Sequence, residues 1–352
     1  MAVDKNYCMS SYCVFRYCID DKKDFFENTH HQIYKLIPEN KRILVSNEYD
    51  IDNELRKQFE PIRDKRLGIL LSGGMDSACL ASYMYGKDAY TFRFLGGWYQ
   101  KEELSRAEYY AKKYKLHLHH VDIGWETVLD NMLEVIRHKG APVHSIEPQI
   151  LAAVKQAKYD GIEMMIIGDA ADYVFGGMDK LHAKDWSFDE FVKRYTYLKP
   201  EDVLVDPVDL TPAFEKYRQG NGIDFISLMH EYADIESYAS YKNAFETGNM
   251  PFLDPYEILK MAEPLDLNRI RNGESKYLIR ALFKMKYPEI PVPQKLPMPR
   301  PVDEFFKDWE GPMRPEFRKD IDMKKFTGNQ KWQIYCLEKF LEMNDSSEEV
   351  RK

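Results

Sequence analysis

Leu67-Gly68-Ile69-Leu70-Leu71-Ser72-Gly73-Gly74-Met75-Asp76-Ser77 decides how the chain is read, because it joins an apolar run to a glycine turn and then to a helical composition. The run between Arg66 and Ser72 fits a short strand covered on both faces, as in a parallel sheet. Adjacent Gly73 and Gly74 remove the Cβ atoms that would hold a ligand off the backbone and permit positive φ, so consecutive N–H groups can converge on an anion. The expected helix, Met75 to about Tyr85, points its N-terminal partial charge at the same place. Asp76 and Ser77 fall in its first turn. A carboxylate beside phosphates makes chemical sense when a divalent cation lies between them. The plainer reading is an ordinary strand-to-helix turn capped by Asp76.

Working outward, the strands and helices alternate as in a doubly wound, mostly parallel α/β domain. The pattern predicts strands over Ala89–Phe94, Leu116–Ile123 and Glu163–Ile167, with helices over Lys101–Tyr114, Trp125–His138 and Ile146–Tyr159. Ligands in such sheets sit at the carboxyl ends of the strands, so residues 72–77, Leu95-Gly96-Gly97 and Gly168 onward should converge. Gly96-Gly97 either lets a flat ring approach the backbone or is a plain turn. Gly168-Asp169-Ala170-Ala171-Asp172 follows the strand Met164–Ile167 and ends in Phe175-Gly176-Gly177. Two acids three apart on a tight turn can point into one cavity, one toward a metal and one toward substrate. The alternative is a helix start with Asp169 as cap.

Residues 1–65 contain no glycine and read as a support segment before a core at 66–180. Tyr12–Ile19 is rich in aromatic and β-branched residues, Ile33–Val45 resembles two extended pieces around Pro38-Glu39-Asn40, and Asp52–Asp64 has helical composition. Residues 181–352 are mainly helical in tendency and proline-rich after Tyr287.

The bulk properties narrow the function. At 352 residues, with 44% hydrophobic and 14% aromatic residues, the chain can build a substantial core. A net charge of -8 argues against general nucleic-acid binding. No apolar run approaches a membrane span, and Asp4, Lys5 and Arg16 interrupt the place where a secretory signal would lie, so a cytoplasmic protein is expected. Cys8, Cys13 and Cys18, three of the five cysteines, recur at a spacing that fits neither zinc pairs nor a redox Cys-x-x-C. They read as small buried hydrophobes.

Ser72–Ser77 also resembles the pyrophosphate loop of the ATP pyrophosphatases, the PP-loop, and not a Walker loop, since no Gly-Lys-Ser/Thr follows. Ile167–Gly177 is similar to the second motif of asparagine synthetases and β-lactam synthetases. Thr91-Phe92-Arg93-Phe94, Glu102-Glu103, Ala107, His119-His120, Met250-Pro251-Phe252-Leu253-Asp254 and Gly273-Glu274-Ser275-Lys276-Tyr277-Leu278-Ile279-Arg280 follow the family's order, as does Lys295 in its proline-rich loop. The likeness spans roughly 10–310. It implies an adenine nucleotide alpha hydrolase-like fold with a helical C-terminal portion completing the site. It further implies ATP contacts at Leu71, Ser72, Gly73, Gly74, Asp76, Ser77, Phe94, Gly168 and Lys276, with Mg²⁺ at Asp76 and Asp172. Lys295 would act on the leaving pyrophosphate and Asp169 as general base.

What the resemblance implies is an ATP-dependent ligase that adenylates a carboxylate and forms an amide with ammonia or an amine. The partners are then small molecules, with a separate glutaminase or a carrier protein as the macromolecular options and no membrane or nucleic acid. The departures bear on substrate: Asn249-Met250 stands where the family has Arg before Pro-Phe-Leu-Asp, and Leu296-Pro297-Met298-Pro299 replaces a glycine-rich loop. Ala2 stands where the family's glutaminase cysteine would be, so glutamine is not expected to serve directly. The rival readings are a sulfur or nitrogen transferase acting on a nucleobase, which would want a reactive cysteine such as Cys79, and a nucleotide-binding partner subunit without catalysis of its own.

Overall fold

The computed structural model describes residues 2–27, 29–96, 101–294 and 302–349. Its centre is a five-stranded, all-parallel sheet made of β1 (Leu67–Leu70), β2 (Asp88–Phe94), β3 (His117–Ile123), β4 (Met164–Ile166) and β5 (Phe252–Leu253). The strand order is β5-β4-β1-β2-β3. The chain winds outward from β1 through β2 to β3, then returns to place β4 on the other side of β1. The topological switch therefore lies between β1 and β4, where an open α/β sheet leaves a crevice at its carboxyl edge.

The principal helices are α1 (Lys5–Phe15), α2 (Glu48–Phe59), α3 (Met75–Ala81), α4 (Lys101–Lys113), α5 (Trp125–Lys139), α6 (Glu147–Tyr159), α7 (Ala170–Val174), α8 (Phe225–Thr247), α9 (Tyr277–Lys286) and α10 (Gly328–Glu349). Strand residues alternate between two cores, as a pleated sheet requires. Leu67, Ile69, Ala89 and Ile166 face α2, α3, α4 and α9. Tyr90, Val121, Met165 and Ile167 face α5, α6 and α8. A third cluster, including Phe15, Phe191, Phe214, Leu228 and Tyr232, ties the start of the chain to α8.

Three expectations are revised. Helix α3 stops at Ala81, short of Tyr85: the Ser82 hydroxyl donates to the Cys79 carbonyl at 2.7 Å, and the chain then turns at Gly86 with φ +71°. Tyr12–Phe15 lies in helix α1, started by Asp4, whose carboxylate accepts the Tyr7 N–H at 3.1 Å. In Ile33–Val45 only Ile43–Val45 is a strand, paired in parallel with Leu259–Met261, and Glu39–Lys41 makes one 3₁₀ turn. Strand β5 was not anticipated; its register, Phe252 opposite Met165 and Leu253 opposite Ile166, carries the chain back to the switch point.

Candidate functional site

The loop after β1 is held by its own hydroxyls. Ser77 Oγ accepts the Ser72 N–H at 3.1 Å, and Ser72 Oγ accepts the Gly74 N–H at 3.1 Å. Neither Gly73 nor Gly74 has positive φ, contrary to the expectation. The reason for glycine at 73 is packing: a Cβ there would lie 2.5 Å from the Glu103 carbonyl oxygen in α4. The loop is thus pressed against α4, with Leu71, Ser72, Asp76 and Ser77 lining a cavity of about 150 Å³ together with Glu103, Gly168, Asp169, Asp172 and Tyr241.

Across the switch point, β4 delivers Gly168-Asp169 and the short helix α7. Asp169 stands at the cap position of this helix, but its side chain makes no capping bond. The Ala170 N–H instead donates to Asp254 Oδ2 at 2.7 Å, and the Tyr256 N–H donates to Asp254 Oδ1 at 3.1 Å. Asp254 follows β5 directly, so the edge strand fixes the start of α7. Burial pushes its carboxyl well above the usual range. Asp254 was visible only as the last residue of a motif; its two-donor role depends on a strand too short to read from pattern.

Asp169 is therefore available for chemistry. The Ser237 hydroxyl of α8 donates to its Oδ2 at 2.7 Å. Burial, and after it the neighbouring Asp172, Glu236 and Asp76, push its pKa up to about 7, against the lowering effect of Ser237.

Asp76 and Asp172 come together on one cation. Lys276 Nζ lies 2.6 Å from Asp76 Oδ2 and 2.8 Å from Asp172 Oδ1, with the lysine side chain only 3% exposed. Burial pulls this ammonium's pKa down, but the two carboxylates outweigh it and hold it above the ordinary lysine range. Lys276 sits in the left-handed region, φ +52°, just before α9, a conformation costly for a side-chain-bearing residue. The Phe175-Gly176-Gly177 turn shapes the other side. Gly177 donates its N–H to the Asp172 carbonyl at 2.7 Å, and a Cβ on it would fall 2.0 Å from Asp172 Oδ1.

Phe94 lies away from the cavity. It is 3% exposed, is packed in the core with Val121 and Ile123, and is absent from the cavity lining, whereas Phe92, two residues earlier on β2, is part of it. Lys295 and Gly97 lie outside the described residues. Among the described residues no group of three or more His, Cys, Asp or Glu forms a ready metal cluster. Asp76 and Asp172 do offer two hard oxygen donors converging on a single cation position beside the loop, which fits a magnesium ion completed by phosphate oxygens and water. Bound there, the ion would neutralise phosphate charge.

Fold and crevice together define a doubly wound α/β protein with paired acids at its switch point. The asparagine synthase family profile matches residues 55–322, and the chain belongs to the asparagine synthase family. At family level this makes it an ATP-dependent amidating ligase acting on small molecules. No curated protein matches the chain. Among solved structures, the U34-tRNA thiolase NcsA from Methanococcus maripaludis, described with its [4Fe-4S] cluster, is similar at 14% identity and a TM-score of 0.28, covering 70% of this chain and 82% of that one. No helix of the described residues is long and apolar enough to cross a membrane.

Proposed function

We propose that the protein is an AMP-forming amide synthetase in which residues 66–180 hold ATP and the later helical part completes the site. One observation carries this reading: a pair of acids suited to magnesium, Asp76 and Asp172, stands beside a third, Asp169, whose pKa is about 7 and whose side chain does not cap the helix it starts. Segregating one carboxyl by burial from two that are charge-paired is how a site obtains a base and a metal-binding pair from the same residue type.

In the first step a substrate carboxylate oxygen attacks the α-phosphorus of ATP, the α–β bridge breaks, and pyrophosphate leaves. Ser72 and Ser77 line the cavity and, with the Gly73-Gly74 backbone, are assigned to the phosphate oxygens, which would replace the bonds these groups now make within the loop. Lys276 neutralises Asp76 and Asp172, which would hold magnesium and so bring positive charge to the phosphates, and Lys295 is assigned to the leaving pyrophosphate. In the second step the amine nitrogen attacks the acyl carbon, AMP departs, and Asp169 takes the proton that the nitrogen loses. The transferase alternative wants a thiolate near the loop. Cys79 is 0% exposed, and burial, then Asp76, push its thiol far above the usual range. A cytoplasmic setting suits five free, buried cysteines.

Product analysis tests the reading. ATP incubated with protein, carboxylates and amines should give AMP and pyrophosphate in equal amounts; ADP and phosphate would refute it.

A further inference from the structure

A second cavity, of about 470 Å³, also reaches Asp169. Asp169, Asp172 and Tyr241 line both cavities, so their shared wall is where a group bound in one meets a group bound in the other. The second cavity is walled by the rings of Phe15, Tyr195, Tyr197 and Tyr241. Its charged groups nearly cancel. Arg16 donates to Glu236 at 2.8 Å and meets His144 Nε2 at 3.2 Å, Asp172 shares the Lys276 ammonium, and Arg194 stands exposed.

We propose that the nucleophile is a primary amine carried on an uncharged aromatic or apolar body that fills this second cavity, and not free ammonia. The proposal rests on the reading of Asp169 as the base beside the acyl carbon. Ammonia needs about the space of one water, roughly 30 Å³, whereas cavities of several hundred Å³ match molecules of drug size. Rings on several sides favour an apolar or aromatic body, and their faces attract an ammonium. The nearly balanced charges disfavour a polyanionic body. The amine end then points at the wall shared with the nucleotide cavity, where Asp169 can accept its proton as the C–N bond forms and AMP leaves.

Residues from outside the family-matched segment build part of this cavity. Arg16 ends α1 in the left-handed region, φ +68°, which turns its side chain back across the helix end toward Glu236 on α8. Glu236 and Ser237 are consecutive on α8, so the Arg16 ion pair also fixes the turn of α8 that orients Asp169.

Calorimetric titration of the whole chain with tyramine, phenethylamine, hexylamine and ammonium chloride tests the proposal. Ala233→Phe and Ser240→Leu, two substitutions that shrink the cavity from α8, serve as variants, and melting temperatures near wild type show which of them fold. Saturable binding of at least one of the three organic amines, weakened at least 10-fold in a folded variant with ATP affinity unchanged, is expected. In amide formation that amine should exceed ammonium at least 10-fold in kcat/KM. No saturable binding by any organic amine, equal affinity in a folded variant, or displacement of the amine by ATP would overturn it. Carboxylate-dependent pyrophosphate release, measured on the same samples without amine, reports the adenylating reading separately: its loss with amine binding intact refutes that reading and leaves the cavity assignment standing.

Discussion

Asp169 and Lys276 carry most of what is distinctive at the scale of single residues. The Asp169 carboxyl, pushed up to about 7, must lose its proton to act, so amide formation should rise with pH through about 7 and level off above it. In Asp169→Asn this step should fall roughly 10² to 10⁴-fold while adenylation stays near normal. Stability runs the other way. Because the folded-state pKa is raised, the protonated form is favoured in the native protein, and stability falls as pH rises from about 4 through about 7. Asp169→Asn should therefore melt higher than wild type at pH 8 and differ little near pH 4; a lower melting point at pH 8 would contradict the buried-acid account. Lys276→Met leaves two neighbouring carboxylates without their shared ammonium; because these are 21% and 35% exposed, the cost falls below the about 3–5 kcal/mol of a broken, fully buried pair. Millimolar magnesium should recover part of that loss in a thermal melt, and no recovery would count against a metal position between Asp76 and Asp172. The glycine loop, the paired Asp76 and Asp172, and Asp169 were readable as candidate residues at fixed spacing. That Asp169 is no cap was not, because the Asp172 N–H it would have capped goes to the Asp169 backbone carbonyl at 3.1 Å, and its side chain is held by Ser237 from a distant helix.

At the scale of elements, short pieces of backbone hold the site. Strand β5 is two residues long, yet through Asp254 it sets where α7 begins. Asp254→Ala should strand two buried N–H donors, at about 1–3 kcal/mol each, and raise the KM for ATP as the 168–172 turn drifts; urea melts and steady-state kinetics check both. Gly177→Ala places a methyl 2.0 Å from Asp172 Oδ1, so the carboxylate must move. The KM for magnesium-ATP should rise at least tenfold with little change in fold, and an unchanged KM would remove Asp172 from the nucleotide site. The longer strands and helices of the core fall within a few residues of their sequence expectation, because period-2 and period-3.6 patterns persist over enough residues to be read. Helix α3 ends early and β5 escapes notice because each is decided by one hydrogen bond or one neighbouring strand.

The whole molecule joins three parts of the chain at one crevice: the β1 and β4 loops, helix α8 with Ser237 and Glu236, and the first helix with Arg16. Arg16→Met should spare ATP binding and carboxylate activation but raise the KM for the amine, and equal losses in both half-reactions would show a merely structural role. That long-range assembly had no sequence signature, since Arg16 and Glu236 lie 220 residues apart. The central claim is that this crevice activates a carboxylate as its adenylate, and isotope exchange between pyrophosphate and ATP measures that step alone. Labelled pyrophosphate should enter ATP only when a carboxylate from the substrate panel and magnesium are present, without any amine. Exchange independent of carboxylate, or none across a broad panel despite bound ATP, would contradict the account.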